Sequence, residues 1–409
     1  MAQPRRILVV CQHFWPETFR VNDICDYLIE QGCEVDVLCG LPNYPKGKFF
    51  KGYSYFKNRT QEHNGVKIRR AFEIPRGNNS NFRIFINYVS FPIASLFHVP
   101  RLLTKKYDKI VLYQLSPVLM SIAGILVGKI KRIETTMYVL DLWPENLFSV
   151  LKVRNTWVRK LAAVVSTWHY RHVDKLVVLS SRMQDRLQVI TNFAPGRIMV
   201  LPQACEKIYE VKVRDDDLEA RFNQGFNILF AGNISPAQSF QTVIEAAKEL
   251  EHRKLTDINW IIVGDGMSRE WLEKEIKMAG LEKRFFFEGF KPIAEVPKYT
   301  GVADLLIGCL VKSELLEATI PAKVMSYFAS GKPMVLAMDG EVQELVNNTI
   351  KCGLAGPTED AVKLADNIAK IHAMPKTERE QMGQRGQDYH FKHFERNMSM
   401  AKLFAFIFD

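Results

Sequence analysis

A chain of 409 residues, 47% hydrophobic and 24% charged, is too long for one ordinary core and too apolar for a disordered polymer; it fits two domains of about 200 residues each. No low-complexity tract or repeat of about 20–50 residues runs through it, which excludes repeat architectures. The net charge of +10 is lopsided, with 29 Lys and Arg against 14 Asp and Glu in residues 1–205 and 26 against 31 in the remainder. The basic half therefore points to anionic lipid, to nucleic acid, or to a solvated face, and no nucleic-acid module accompanies it.

The first half alternates strand and helix. "RRILVVCQ" is a continuous apolar run of the buried parallel-strand type. The loop "HFWPETFR" follows, then a helix over 20–31 ending at Gly32, then the strand "EVDVLCG" and the long loop "LPNYPKGKFFKGY". Further strands are "GVKIRRAF", "KIVLYQ", "TTMYVLDL" and "KLVVLS", with helices near 82–104, 117–129, 155–171 and 181–189. Region 82–104 is apolar around most of its circumference and flanked by Arg83, Arg101, Lys105 and Lys106. A helix lying in a membrane interface has this pattern, and so does one buried against a sheet. The charge-rich segment 202–225 reads as a linker. The second half then repeats the plan with "FNILFAGN", helix 239–251, "INWIIVGDG", helix 268–279, and the strands "FFFEGF", "ADLLIGCL" and "PMVLA". A last helical segment spans 388–408. The expected fold is α/β, two doubly wound domains of Rossmann type, where ligands bind outside the carboxyl ends of the strands.

Seven cysteines, with no C-x-x-C pair, read as buried reduced thiols of a cytosolic protein, and no histidine or cysteine spacing suggests a metal. The N-terminus runs directly into a strand, so no secretory signal is expected.

Candidate chemistry lies at the strand ends. "FAGNIS" and "VGDG" place Gly232, Gly264 and Gly266 in strand-to-helix turns, where backbone approaches phosphate, although turn geometry alone also selects glycine. In "ATIPAKVMSYFASGKP", Pro321 opens a helix, Thr319 helps to cap it, and Gly331 and Pro333 stop it. Lys323 then sits in a first turn whose dipole disfavours a cation, unless an anion lies in front of it. "DLWPEN" brings Asp141 and Glu145 to a strand end as a base or as sugar-hydroxyl ligands; alternatively Asp141 caps a turn and Trp143 plugs the core. "FWPE" repeats the trio, so that Glu17 and Arg20 would face Glu145. His13 is a candidate base or a structural histidine.

Taken in order, "FWPE" with "RVND", "LPNYPKG", "DLWPE", "AGN" with Gln238, "VGDG" and "PAKVMSYFASGKP" resemble the GT-B glycosyltransferases of family 4. The branch resembled is the bacterial surface-polysaccharide one typified by N-acetyl-L-fucosamine transferases. The resemblance covers nearly the whole chain. It implies an acceptor domain over 1–203 and a nucleotide-sugar domain over 204–387, facing each other across a cleft, with helix 388–409 returning to the first domain. It implies a UDP-sugar donor, retention of configuration, a polyprenyl-diphosphate-linked saccharide as acceptor, and a peripheral location on the inner face of the cytoplasmic membrane. It implies donor contacts from Gly232, Asn233, Gln238, Gly264, Gly266 and Lys323, and acceptor contacts from Arg20, Asn43 and Tyr44.

Two departures from the wider family stand out, at three positions. Asn233 and Gln238 stand where most members carry a basic pair, which leaves Lys323 as the cation for the diphosphate. Ser326 stands where a glutamate usually holds the ribose, and Glu317, nearby in sequence, is the carboxylate expected to compensate. The expected chemistry is attack of an acceptor hydroxyl on the anomeric carbon, with leaving-group charge stabilised by backbone amides and Lys323 and with no cofactor or metal. Two alternatives remain open at this stage: a nucleotide-sugar epimerase of the same shape, and a non-catalytic partner subunit.

Overall fold

The computed structural model describes residues 4–77, 80–151 and 155–409. It divides into two compact units, one of Met1–Leu201 with Met400–Asp409, the other of Pro202–Ser399.

The first unit holds strands β1 (Arg6–Cys11), β2 (Glu34–Cys39), β3 (Thr60–His63), β4 (Val66–Arg70), β5 (Lys109–Gln114), β6 (Thr135–Val139), β7 (Lys175–Val178) and β8 (Ile198–Val200). Their order in the sheet is β3-β4-β2-β1-β5-β6-β7-β8. All neighbours are parallel except the β3–β4 hairpin. Alternate residues of β1 serve the two faces. Ile7, Val9 and Cys11 join the core that also takes Val21, Ile24 and Leu28 of helix Val21–Glu30. Val10 meets helix Ile122–Lys131 at Gly124, where an added Cβ would come within 2.3 Å of Leu112.

The second unit holds β9 (Phe226–Ala231), β10 (Ile258–Val263), β11 (Phe285–Gly289), β12 (Leu305–Cys309), β13 (Met334–Ala337) and β14 (Gly353–Gly356), in the order β11-β10-β9-β12-β13-β14. Every pairing is parallel. Ile228 and Phe230 pack with helices Phe240–His252 and Ala361–His372, while Leu229 faces helix Ala322–Ser330 on the other side. Central strands buried on both faces are what continuous apolar runs demand.

Three expectations change. The single helix over 82–104 is two, Asn81–Leu96 with Pro92 inside it and Val99–Leu103. The segment over 388–408 is also two, Lys376–His393 and Arg396–Phe408, separated by a non-helical Phe394. Only residues from Met400 onward belong to the first unit, where Met400, Leu403 and Ile407 are buried with β1 and β2. Finally, the helix near 117–129 begins as a 3-10 turn, Val118–Ser121.

Candidate active site

In the second unit, the expected donor residues converge at the carboxyl ends of β9 and β10. The two strand-to-helix turns lie directly on each other. The Gly232 amide donates to the Val263 carbonyl at 2.9 Å, and the Ile234 amide to the Asp265 carbonyl at 2.9 Å. Gly264, at φ +139°, has no room for a side chain: a Cβ there would fall 1.9 Å from the Gly232 carbonyl oxygen. A Cβ on Gly266 would strike the Ile234 carbonyl and the Asn233 Oδ1. These glycines therefore serve turn-on-turn packing first, and that packing fixes where the backbone amides point.

Helix Ala322–Ser330 starts after Pro321 and closes on Gly331 in the left-handed conformation. Thr319 does not cap it; its hydroxyl donates to the Leu316 carbonyl at 3.2 Å. Tyr327, whose hydroxyl donates to the Ile307 carbonyl at 2.9 Å, ties the helix to β12. This anchoring brings Lys323 over the Phe230 ring, 4.1 Å from its centroid, with its Nζ donating to Gln238 Oε1. The side chain also lies beside Gly232, where a Cβ would sit 3.6 Å from Nζ. Burial pulls the Lys323 ammonium down to about 8, partly opposed by Cys309, whose own thiol burial pushes up to about 12. A cation stripped of water, leaning on one ring and one amide, is short of negative charge.

Ser326 lies one turn further on, with its hydroxyl 3.5 Å from the Ala322 carbonyl of its own helix. Glu317 ends the short helix Glu314–Glu317, and its carbonyl packs against Gly340, where a Cβ would come within 2.2 Å.

In the first unit, the residues after β1 form a buried polar cluster. His13 Nδ1 meets Glu17 Oε2 at 3.1 Å, and both side chains are 2% exposed. Glu17 Oε1 also accepts the backbone amides of Asn43 at 2.8 Å and Tyr44 at 2.7 Å. Glu17 thus holds the loop after β2 in place. Glu145 pairs with Arg186 at 2.8 Å. Arg20 precedes helix Val21–Glu30 and pairs with Asp23 at 3.3 Å. Phe19 stacks on His13 with centroids 5.0 Å apart, and Tyr44 leans on both rings.

Asp141 stands at the end of β6. Ser116 Oγ donates to its Oδ2 at 2.7 Å while accepting from Trp143 Nε1 at 2.9 Å. Burial raises its carboxyl above the ordinary aspartate value, and the Ser116 hydroxyl and the charge of Arg76 oppose the rise. Trp143 is buried, and its backbone N–H donates to the Tyr170 hydroxyl at 3.0 Å. Trp143 is the core plug, and Asp141 holds its raised carboxyl at the strand end against Ser116.

Sequence reasoning missed several members of this edge. Glu73, fully buried, accepts at Oε1 from Gln12 at 2.8 Å, Asn43 at 3.1 Å and Asn87 at 2.7 Å. Its carboxyl is raised, chiefly by burial. Arg76 donates to Asn87 Oδ1 at 3.1 Å and spreads over the rings of Tyr44 at 5.4 Å and Tyr88 at 5.5 Å. Among the described residues, no group of three or more His, Cys, Asp or Glu side chains is placed to hold a metal ion.

Comparison with known proteins agrees with this architecture. Residues 18–204 match the family described as glycosyl transferase 4-like domain, and residues 215–389 match glycosyl transferases group 1. The chain is 24% identical over 387 residues to the colanic acid biosynthesis protein of Escherichia coli (strain K12) assigned as glycosyl transferase WcaI, covering 91% of this chain and 93% of that one. It is 27% identical over 200 residues to the amylovoran biosynthesis glycosyltransferase AmsK of Erwinia amylovora, covering 48% and 47%. Among solved structures, Anabaena HepE in complex with UDP and glucose superposes with a TM-score of 0.70 at 16% identity, over 98% of both chains. Sucrose-phosphate synthase from Thermosynechococcus elongatus gives 0.72 at 16%, over 98% and 97%. With two sheets of this topology and both halves of the chain matched in order, the protein belongs to the GT-B glycosyltransferases of family 4.

Proposed function

We propose that this glycosyltransferase moves a sugar from a UDP-sugar to a hydroxyl of a polyprenyl-diphosphate-linked saccharide during bacterial surface-polysaccharide synthesis. The observation that carries the donor half is Lys323, a desolvated ammonium beside Gly232 that leans on Gln238 and the Phe230 ring and, among the described residues, has no carboxylate paired with it. A nucleoside diphosphate supplies the missing negative charge. The turns at 232–234 and 264–266 bring backbone to it at Asn233 and Asp265, whose amides take no part in the turn-on-turn hydrogen bonds, Asn233 and Gln238 offer amide side chains, and the hydroxyl of Ser326, with Glu317 nearby in sequence, meets the ribose. As the diphosphate leaves, these fixed donors stabilise its growing charge without a metal.

On the acceptor side, Asp141 takes up the proton of the attacking hydroxyl or orders the sugar through it. His13 and Glu17 act as positioning groups for Asn43 and Tyr44, and Arg76 with Tyr44 and Arg20 presents hydrogen-bond donors to the acceptor. Names of relatives in colanic acid and amylovoran synthesis support the polysaccharide context, and UDP in HepE supports the nucleotide.

Two exposed apolar stripes on the first unit support a peripheral membrane location. Helix Asn81–Leu96 buries Asn87, Tyr88, Phe91 and Ser95 but exposes Phe82, Phe85 and Ile93, and Phe97 follows at 81% exposure. Helix Thr156–Arg171 exposes Trp157, Leu161, Val164 and Trp168, which recur at helical spacing. Both helices pack against the turn Val118–Ser121. Among the described residues no helix is long and apolar enough to cross a membrane. Interfacial seating of such faces next to basic residues explains their exposure.

The test is to incubate the purified protein with a panel of nucleotide-sugars, uridine and non-uridine, and extracted polyprenyl-linked saccharides, and to follow nucleotide release and acceptor mass together. One sugar added per UDP released is the expected result. UDP release with water as sole acceptor across the panel, or elongation from a non-uridine donor only, contradicts the reading.

A further inference from the structure

On the sheet face opposite helix Val21–Glu30, strands β2, β4 and β3 run out to one edge of the sheet beside helix Val99–Leu103. A cavity of about 450 Å³ remains there, lined by Asp36, Lys67, Arg69, His98, Arg101 and Lys105 among others. It lies along the strands' faces, not at the carboxyl edge where Glu17, Asn43 and Asp141 gather.

Its charges do not balance. Asp36 Oδ2 already accepts from Lys105 Nζ at 2.7 Å and from the Tyr107 hydroxyl at 2.8 Å. Glu62, the other acid of the lining, stands opposite Lys67 in the β3–β4 ladder, and Glu34 lies 3.7 Å from Lys67. Arg69 and Arg101 are left over. Among the described residues neither guanidinium has a hydrogen-bond or ion-pair partner. Burial, and then the charges of Arg101 and Arg59, pull Arg69 below its ordinary value, with Asp36 and Tyr107 opposing them only in part. Burial and the charges of Arg59, Arg69 and Arg101 likewise lower His98. A merely solvated basic face spreads its cations outward; here they converge on a concavity and repel one another.

We propose that this cavity binds a phosphate-bearing anion, with Arg69 and Arg101 as its principal donors and Lys67 and His98 beside them. The guanidinium fork suits two oxygens of a phosphate and stays charged when partly buried. The anion removes the repulsion that the empty cluster carries. Exposed Leu96 and Phe97 immediately precede His98, so an apolar shoulder adjoins the basic cavity, as a phosphodiester headgroup with its acyl chains requires. A soluble phosphate compound offers the same chemistry without the shoulder. This site is independent of the donor assignment at Lys323.

The experiment uses the full chain carrying Lys323→Ala, so that the donor site does not contribute. Inorganic phosphate is titrated in a thermal-melt assay, and binding to vesicles of phosphatidylglycerol in phosphatidylcholine is measured by flotation. Arg69→Gln with Arg101→Gln is compared with the parent, and Arg101→Gln alone serves if the pair perturbs folding, because Arg101 is exposed. The parent should gain about 2–4 °C from phosphate, and the double variant should lose that gain while melting no lower in phosphate-free buffer. If vesicle binding also falls by about ten-fold, the ligand is a lipid headgroup; if it is unchanged, the ligand is a soluble phosphate compound. Absence of phosphate stabilisation in the parent, or equal stabilisation in the variants, overturns the proposal.

Discussion

Lys323 stands where its charge is hardest to keep. The helix dipole and burial both oppose protonation, and its value of about 8 lies below that of an exposed lysine. The linkage has a definite sign. Below about 8 the side chain is charged in folded and unfolded chains alike, and the cost of burying it is fully present. Between about 8 and the ordinary lysine value the folded state sheds the proton first, so the free protein gains stability from this group as pH rises. A bound diphosphate reverses the preference. UDP binding at pH 8 should therefore take up about half a proton, read by calorimetry in buffers of different ionisation enthalpy, and affinity should fall as pH rises through that region. Asp141 makes the complementary case. Its carboxyl, raised by burial despite the Ser116 donors, suits a proton acceptor, so Asp141→Asn should lower kcat by about 100-fold or more while UDP affinity stays the same. Equal loss in both quantities would mark a structural role. At this scale the sequence showed the residues that end a strand or open a helix, such as Asp141 and Lys323. It hid Glu73 and Asn87, because they reach Gln12 only across 61 and 75 positions of chain. No local spacing carries such a contact.

Elements were legible where one period dominates. Continuous apolar strands such as β1, β9 and β10 appear as the sequence predicts, because burial on both faces leaves no polar interruption. The short strands β3, β8 and β14 carry too few residues for a pattern. The helix pair at 81–103 read as one element because its apolar residues continue past the break. The glycine turns are the clearest case of an element-level constraint. Gly264→Ala would drive a methyl into the Gly232 carbonyl at a positive φ and should cost about 1–3 kcal/mol of stability. Because the same contact sets the amides of both turns, UDP affinity should fall with it, as thermal melts with and without UDP would reveal.

For the whole molecule, two doubly wound units supply two ligand-binding edges, one from each half of the chain. The lopsided charge of the sequence has a structural counterpart, since the first unit carries both the exposed apolar stripes and the basic clusters. If that surface meets lipid, Trp157→Ser with Leu161→Ser should reduce binding to anionic vesicles by about ten-fold at low salt, each buried large side chain contributing about 1.5–3 kcal/mol at most. The melting temperature should not fall, because these side chains support no core. Undiminished vesicle binding would assign the stripe to another partner.

The central claim is that a UDP-sugar diphosphate completes the charge around Lys323. Calorimetric titration of UDP into the native chain and into Lys323→Ala tests it most directly. A loss of about 1–3 kcal/mol, or about 5- to 150-fold in affinity, is predicted from the removal of one charged hydrogen bond. Equal UDP affinity in the two proteins, with the variant melting as the native chain does, would contradict the account.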